Sequence, residues 1–177
     1  SAGVFYLHVP DLGIYRSTNY CASWTLLWDK AITSPQDRWS GQMASNPNNP
    51  NVLWITFDNG GVWKLPAANT ATPGSGTAGS VPTGAAKVTG GSLPAGTERC
   101  GTVAIDPDNG TVWVIQQPSA GASISKVHRL PRATGTTWKQ ETDIEVAEGA
   151  HLAQGIDASF GQIVLATSGA GLLRRTR

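Results

Sequence analysis

One phrase recurs four times along this chain: an alternating apolar strand, a Gly-containing turn, and a second strand carrying a basic residue. The copies run from Gly3 to Arg16, from Asn51 to Lys64, from Gly110 to Leu130 with a longer Gly/Ser loop inside, and from Gly161 to Arg175. Self-similarity of this kind constrains a fold more than composition does, because each copy is one supersecondary unit that must bury its faces against its neighbours. The strands are short and rich in Val, Ile, Trp, Tyr and Thr, which suit a pleated sheet packed on both sides. The 21 Gly and 11 Pro fall between these runs, as expected of many turns and many short strands.

Three copies are preceded by a further pattern, at Gln42–Pro50, Val103–Asn109 and Gly155–Phe160. Each reads as an inner strand that ends in an Asn/Asp/Pro turn, where the side chains cap their own backbone. Outer strands follow the phrase at Ser23–Trp28, Ala86–Thr89 and Thr137–Thr142. Lettering the strands A to D from the ring axis outward, the chain runs BCD, ABCD, ABCD, ABC, which is fourteen strands or three and a half blades. The expected fold is all-β: β-propeller blades of four antiparallel strands, forming the C-terminal part of a larger propeller for which seven blades is a candidate count. The blades divide as 1–34 (B-C-D), 35–92 with a low-complexity loop at 66–82, 93–146, and 147–177 (A-B-C). The loop, made of Ala, Thr, Gly, Ser and Pro, is expected to be mobile. A ring closes only when its edges are paired, so a second polypeptide segment completing the propeller is an expected partner. The alternative is an open array or self-association.

Ser17–Trp24 resembles the Asp-box, Ser-x-Asp-x-Gly-x-Thr-Trp, of the bacterial neuraminidase (BNR) repeat, with Asn19 in place of Asp and Cys21 in place of Gly. Thr134–Trp138 is a weaker echo, and Asn46–Lys64 is similar to the repeats of glycoside hydrolase family 74 xyloglucanases and their sortilin-like relatives. The resemblance implies a secreted, extracellular propeller that acts on or binds polysaccharide or another glycan; its alternative is a non-catalytic module for protein or glycan recognition. If the protein is an enzyme, the resemblance makes it a glycoside hydrolase. It also implies that Trp24 and Trp138 belong to the core, and that the D–A and B–C loops share the functional face.

Glycoside hydrolysis needs two carboxyls flanking the bond. Thr56–Gly61 resembles the turn where family 74 carries a catalytic Asp, which makes Asp58 the candidate, although Asp before Gly is also an ordinary hairpin signal. Asp37, Glu98 and Glu148 are candidate partners by loop position only, so the partner of Asp58 stays open. The expected glycan-binding set is Trp39 and Trp28 as stacking platforms, with Arg38, Arg99, Glu98 and His151 around them. Arg38 and Arg99 enter adjacent blades at similar places, but His151 stands near where a sialidase would need a third arginine. Trp54, Trp63 and Trp113 lie within strands and are expected in the core.

Other function classes find little support. A net charge of +1, from 13 basic and 12 acidic residues, gives no electrostatic case for nucleic acid or an anionic membrane. His8, His128 and His151 lack metal-ligand spacing, and no metal or cofactor is expected. Cys21 and Cys100 could pair, stay free, or pair elsewhere.

Overall fold

The structure, a computed structural model, describes residues 3–9, 12–29, 41–57, 60–74, 80–93, 100–117, 125–132, 135–141, 153–159, 162–167 and 171–176. These residues form fourteen strands and no helix. In chain order they are β1 (Phe5–Val9), β2 (Gly13–Ser17), β3 (Thr25–Asp29), β4 (Gly41–Asn46), β5 (Asn49–Phe57), β6 (Gly61–Leu65) and β7 (Ala86–Lys87). The rest are β8 (Cys100–Ile105), β9 (Val112–Gln116), β10 (Lys126–Leu130), β11 (Lys139–Gln140), β12 (Ala153–Ser159), β13 (Gln162–Thr167) and β14 (Gly171–Thr176).

The strands make four sheets in strict chain order: β1-β2-β3, β4-β5-β6-β7, β8-β9-β10-β11 and β12-β13-β14. Within each sheet every strand pairing is antiparallel, so each sheet is a meander. Successive sheets meet along their first strands: β4 touches β8, and β8 touches β12. The two middle sheets have four strands, and the sheets at either end have three.

The basic residue of each repeat puts the sheets in step. Arg16 pairs with Tyr6 and Thr25, Lys64 with Trp54 and Ala86, Arg129 with Trp113 and Lys139, and Arg174 with Val164. Equivalent positions follow by counting along each strand. Phe5, Leu53 and Val112 are one such set, as are Leu7, Ile55 and Val114, and Trp24 matches Trp138.

Sheets packed on both faces need apolar residues at successive positions, and β5 supplies them. Leu53, Ile55 and Phe57 join a core with Ile14, Leu27 and Trp28 of the first sheet. Val52 and Trp54, on the opposite face, join Val112, Val114, Leu130 and Trp138 of the third. Aromatic rings meet edge to face inside both cores: Trp28 lies 5.3 Å from Phe57 and 5.2 Å from Trp63, and Trp54 lies 6.4 Å from Trp138. These geometries suit the ring quadrupole and add to the burial of large side chains.

The turns between first and second strands cap themselves as expected. Asn46 Oδ1 accepts the N–H of Asn48, and Asp106 Oδ1 accepts the N–H of Asp108, each at 2.9 Å. Asn48 then donates from Nδ2 to the carbonyl of Pro107, tying neighbouring sheets at that end.

The low-complexity loop departs from expectation. Its described first half is packed: Ala68 is fully buried and Ala71 is 7% exposed. Arg16 Nη1 donates to the carbonyls of both alanines at 2.9 Å, and Gly74 N–H donates to Leu27 O. Small residues let this loop lie flat against the first sheet, so composition that suggests mobility here permits close packing.

No helix among the described residues is long and apolar enough to cross a membrane. Neither cysteine is in a disulfide; Cys21 is exposed and Cys100 buried.

Candidate functional site

The loop face is the end of the sheets that carries the β1–β2, β5–β6 and β9–β10 connections. Asp58, Trp39, Arg38, Arg99, Glu98 and His151 lie outside the described residues, as do Asp37 and Glu148. The backbone flanking Asp58 is described: Gly60 N–H donates to Phe57 O at 3.2 Å, which draws together the two ends of the β5–β6 connection. Trp63 Nε1 donates to Gly60 O and holds the end of that connection against β6. Thr56, fully buried just before it, accepts the N–H of Gln42 and shares its hydroxyl hydrogen between the carbonyls of Gln42 and Gly101. The second and third sheets are thus bonded to each other at Thr56, two residues before Asp58 in the chain.

Trp28 is a correction. It was expected at the surface as a stacking platform, but it is 1% exposed and meets Phe57 and Trp63 in edge-to-face contacts. A strand-end indole beside polar loops looks available in a linear reading; the bulge at Leu27, which is skipped between the pairs Ile14–Trp28 and Tyr15–Leu26, turns this one inward. Gly13 sits opposite at φ +131°, where a side chain would strike the Trp28 carbonyl. Trp24 is the converse correction. It was expected in the core and is 38% exposed, whereas Trp138, Trp54 and Trp113 are buried as expected and Trp63 is half-buried.

The turn from Ser17 to Trp24 is organised by its own side chains. Ser17 Oγ donates to Asn19 Oδ1 and accepts the N–H of Cys21, both at 3.0 Å. Asn19 Oδ1 also accepts the N–H of Ser23 at 2.9 Å, while its Nδ2 donates to Ser23 Oγ. An amide oxygen therefore does here what a carboxylate oxygen would do. Cys21 has φ +68°, a left-handed conformation that glycine adopts at no steric cost. Asn19→Ala should lower stability by about 1 kcal/mol, as loss of a capping acceptor does. Cys21→Gly should leave stability level or raise it by up to about 1 kcal/mol. Urea denaturation of the two variants checks both expectations.

A second polar cluster was not foreseen. His128 is fully buried and bridges Ser92 Oγ, 2.9 Å from Nδ1, and Gln116 Oε1, 2.8 Å from Nε2. The Gln116 oxygen can only accept, so Nε2 carries the proton and Nδ1 accepts from the Ser92 hydroxyl. Burial, with Lys126 adding to it, pushes the His128 pKa down to about 4. The imidazole is thus a neutral strut between β10 and the segment at 90–93, standing where the other repeats have Trp63 and Tyr15. Because the unfolded chain protonates near pH 6.5, it binds more protons than the folded chain between that pH and about 4. Stability should be full above pH 6.5 and decline as the pH falls toward 4; in His128→Gln this part of the decline should vanish from urea midpoints measured against pH.

Among the described residues no cluster of His, Cys, Asp or Glu could hold a metal ion. Glu141 is paired with Arg129. Gln117, just after β9, is buried and accepts from Ser125 Oγ. Comparison with protein-family models and with curated proteins finds no match.

Proposed function

We propose that this chain is a block of Asp-box β-propeller blades and that the propeller binds or hydrolyses polysaccharide on its loop face. The observation that carries the reading is the Ser17–Trp24 turn, whose Ser, Asn and Cys positions supply the bonds and the left-handed residue that the Asp-box motif calls for. Four meanders in chain order, of which the second, third and fourth meet along their first strands, support the ring arrangement. Secretion belongs to the same reading. In the hydrolytic form, Asp58 on the β5–β6 turn is one of the two carboxyls, and Trp39, Arg38, Arg99, Glu98 and His151 contact the sugar.

The non-catalytic alternative also has an observation in its favour: Gly60 N–H bonds the Phe57 carbonyl across the β5–β6 connection, and Asp before Asn-Gly is ordinary hairpin chemistry. Binding to a panel of plant and bacterial polysaccharides, and release of reducing sugar from xyloglucan, tests both forms. Hydrolysis that falls at least about a hundredfold in a folded Asp58→Ala variant supports catalysis, since removing an essential carboxyl costs several kcal/mol of transition-state stabilisation. Binding without hydrolysis supports recognition. Neither binding nor hydrolysis of any glycan overturns the proposal.

A further inference from the structure

The exposed large hydrophobic side chains among the described residues are Phe5, Leu7, Leu12, Tyr20 and Trp24, and all five belong to the first sheet and its turns. Their positions are not incidental. The residues of the third sheet equivalent to Phe5, Leu7 and Trp24 are Val112, Val114 and Trp138, exposed 0%, 0% and 1% because they pack on the second sheet. Those of the second sheet equivalent to Phe5 and Leu7 are Leu53 and Ile55, exposed 2% and 1% because they pack on the first. The outward face of the first sheet is therefore an interface face, built like the others, on which the described chain places nothing. Isolated surface hydrophobes need no explanation, but three on one sheet face, each matched to a buried residue in the neighbouring sheets, do.

The edge of the same sheet tells the same story. In the middle sheets the strand equivalent to β1 is paired on both sides, β5 with β4 and β6, and β9 with β8 and β10. Among the described residues β1 is paired with β2 alone, and is an edge strand. Beside it lies a pocket of about 290 Å³ lined by Phe5, Tyr6, Met43, Ser45, Asn51 and Leu53, among others. Met43 and Ser45 are on β4, and β4 touches β8, the first strand of the next sheet. The pocket is where a first strand of the β1 sheet would run.

We propose that the β1 edge, this pocket and the face of Phe5, Leu7 and Trp24 form one docking surface for a further polypeptide of the same repeat. It adds a strand antiparallel to β1 and stacks an apolar sheet on the outward face, with a backbone carbonyl accepting from Trp24 Nε1 as Val88 O accepts from Trp138 Nε1. A second copy of this chain is a poorer fit, because its first strands β4, β8 and β12 are already built into sheets. The added strand resembles β8, with small and apolar residues in alternation. The inference rests on strand registers and exposure, and stands apart from whether the loop face binds glycan.

The test adds a copy of residues 100–110, with Cys100→Ser, ahead of β1 in the full chain. Hydrogen exchange should show the β1 amides protected at least tenfold more than in a chain carrying the same residues scrambled. The synthetic peptide of residues 101–109, added in trans at millimolar concentration to the unaltered chain, should protect the same amides. Sedimentation of the unaltered chain should show a monomer. No gain in β1 protection by either route overturns the proposal. So does a stable homodimer in which β1 and Trp24 are already covered, which would make a second copy the occupant.

Discussion

Trp138→Ala is expected to destabilise the chain by about 3–5 kcal/mol, the usual cost of deleting a fully buried large aromatic. Trp24→Ala, at the equivalent position of the first sheet, is expected to cost about 1 kcal/mol or less. Trp138 fills the space between the second and third sheets, meets Trp54 edge to face, and bonds the Val88 carbonyl. Its removal leaves a cavity and strips a buried carbonyl of its donor. Trp24 has 38% of its surface in solvent and forms no comparable contact. Denaturant unfolding of the two variants measures the difference directly. Equal losses would mean that the outward face of the first sheet is covered in solution, and that the exposure described above misrepresents it.

Arg16→Ala should cost about 2–3 kcal/mol, since two hydrogen bonds from a charged donor are lost and two carbonyls in a packed loop are left without it. The guanidinium spans from β2 to Ala68 and Ala71, clamping the loop after β6 to the first sheet. Lysine should recover only part of the loss, because one ammonium on a flexible stem does not reproduce the fixed fork. Limited proteolysis supplies a second readout. Cleavage should shift into the stretch after Leu65 in the alanine variant, with little change elsewhere. An unaltered cleavage pattern and midpoint would show that the loop is held by Ala68, Ala71 and Gly74 without help from Arg16.

Much of the strand layout was legible because it is written in residues that act locally. Alternating Val, Trp and Ile mark strands, and Asn46 and Asp106 announce turns by bonding backbone two residues on. The repeat of a basic residue fixed which positions match, since each sits opposite the same strand position in its own sheet. Burial was less legible. Trp28 and Trp24 differ by four positions and were read the wrong way round, because a bulge in pairing and the presence or absence of a neighbouring sheet decide exposure. The loop after β6 misled for a related reason: Ala and Gly signal flexibility in isolation, yet they are also what a carbonyl-lined seat for Arg16 requires. The Ser92–His128–Gln116 strut could not be read at all, since its members are 36 and 12 residues from one another along the chain. Of the candidate site, the sequence supplied positions on loops, and the structure supplies the bonds that flank one of them in the chain, at Thr56 and Gly60.

The one-sided cover of the first sheet has a consequence for how the molecule comes apart. In a stack where each layer is held by its neighbours, a layer with one neighbour, such as the first sheet, has a smaller share of the total stability than a layer with two. Opening of β1, β2 and β3 then exposes Leu53, Ile55 and Phe57, and the second sheet becomes the new one-sided layer. Loss of structure travels inward from that end as a peeling front, and Arg16, whose bonds cross the first seam, sits where the front must start.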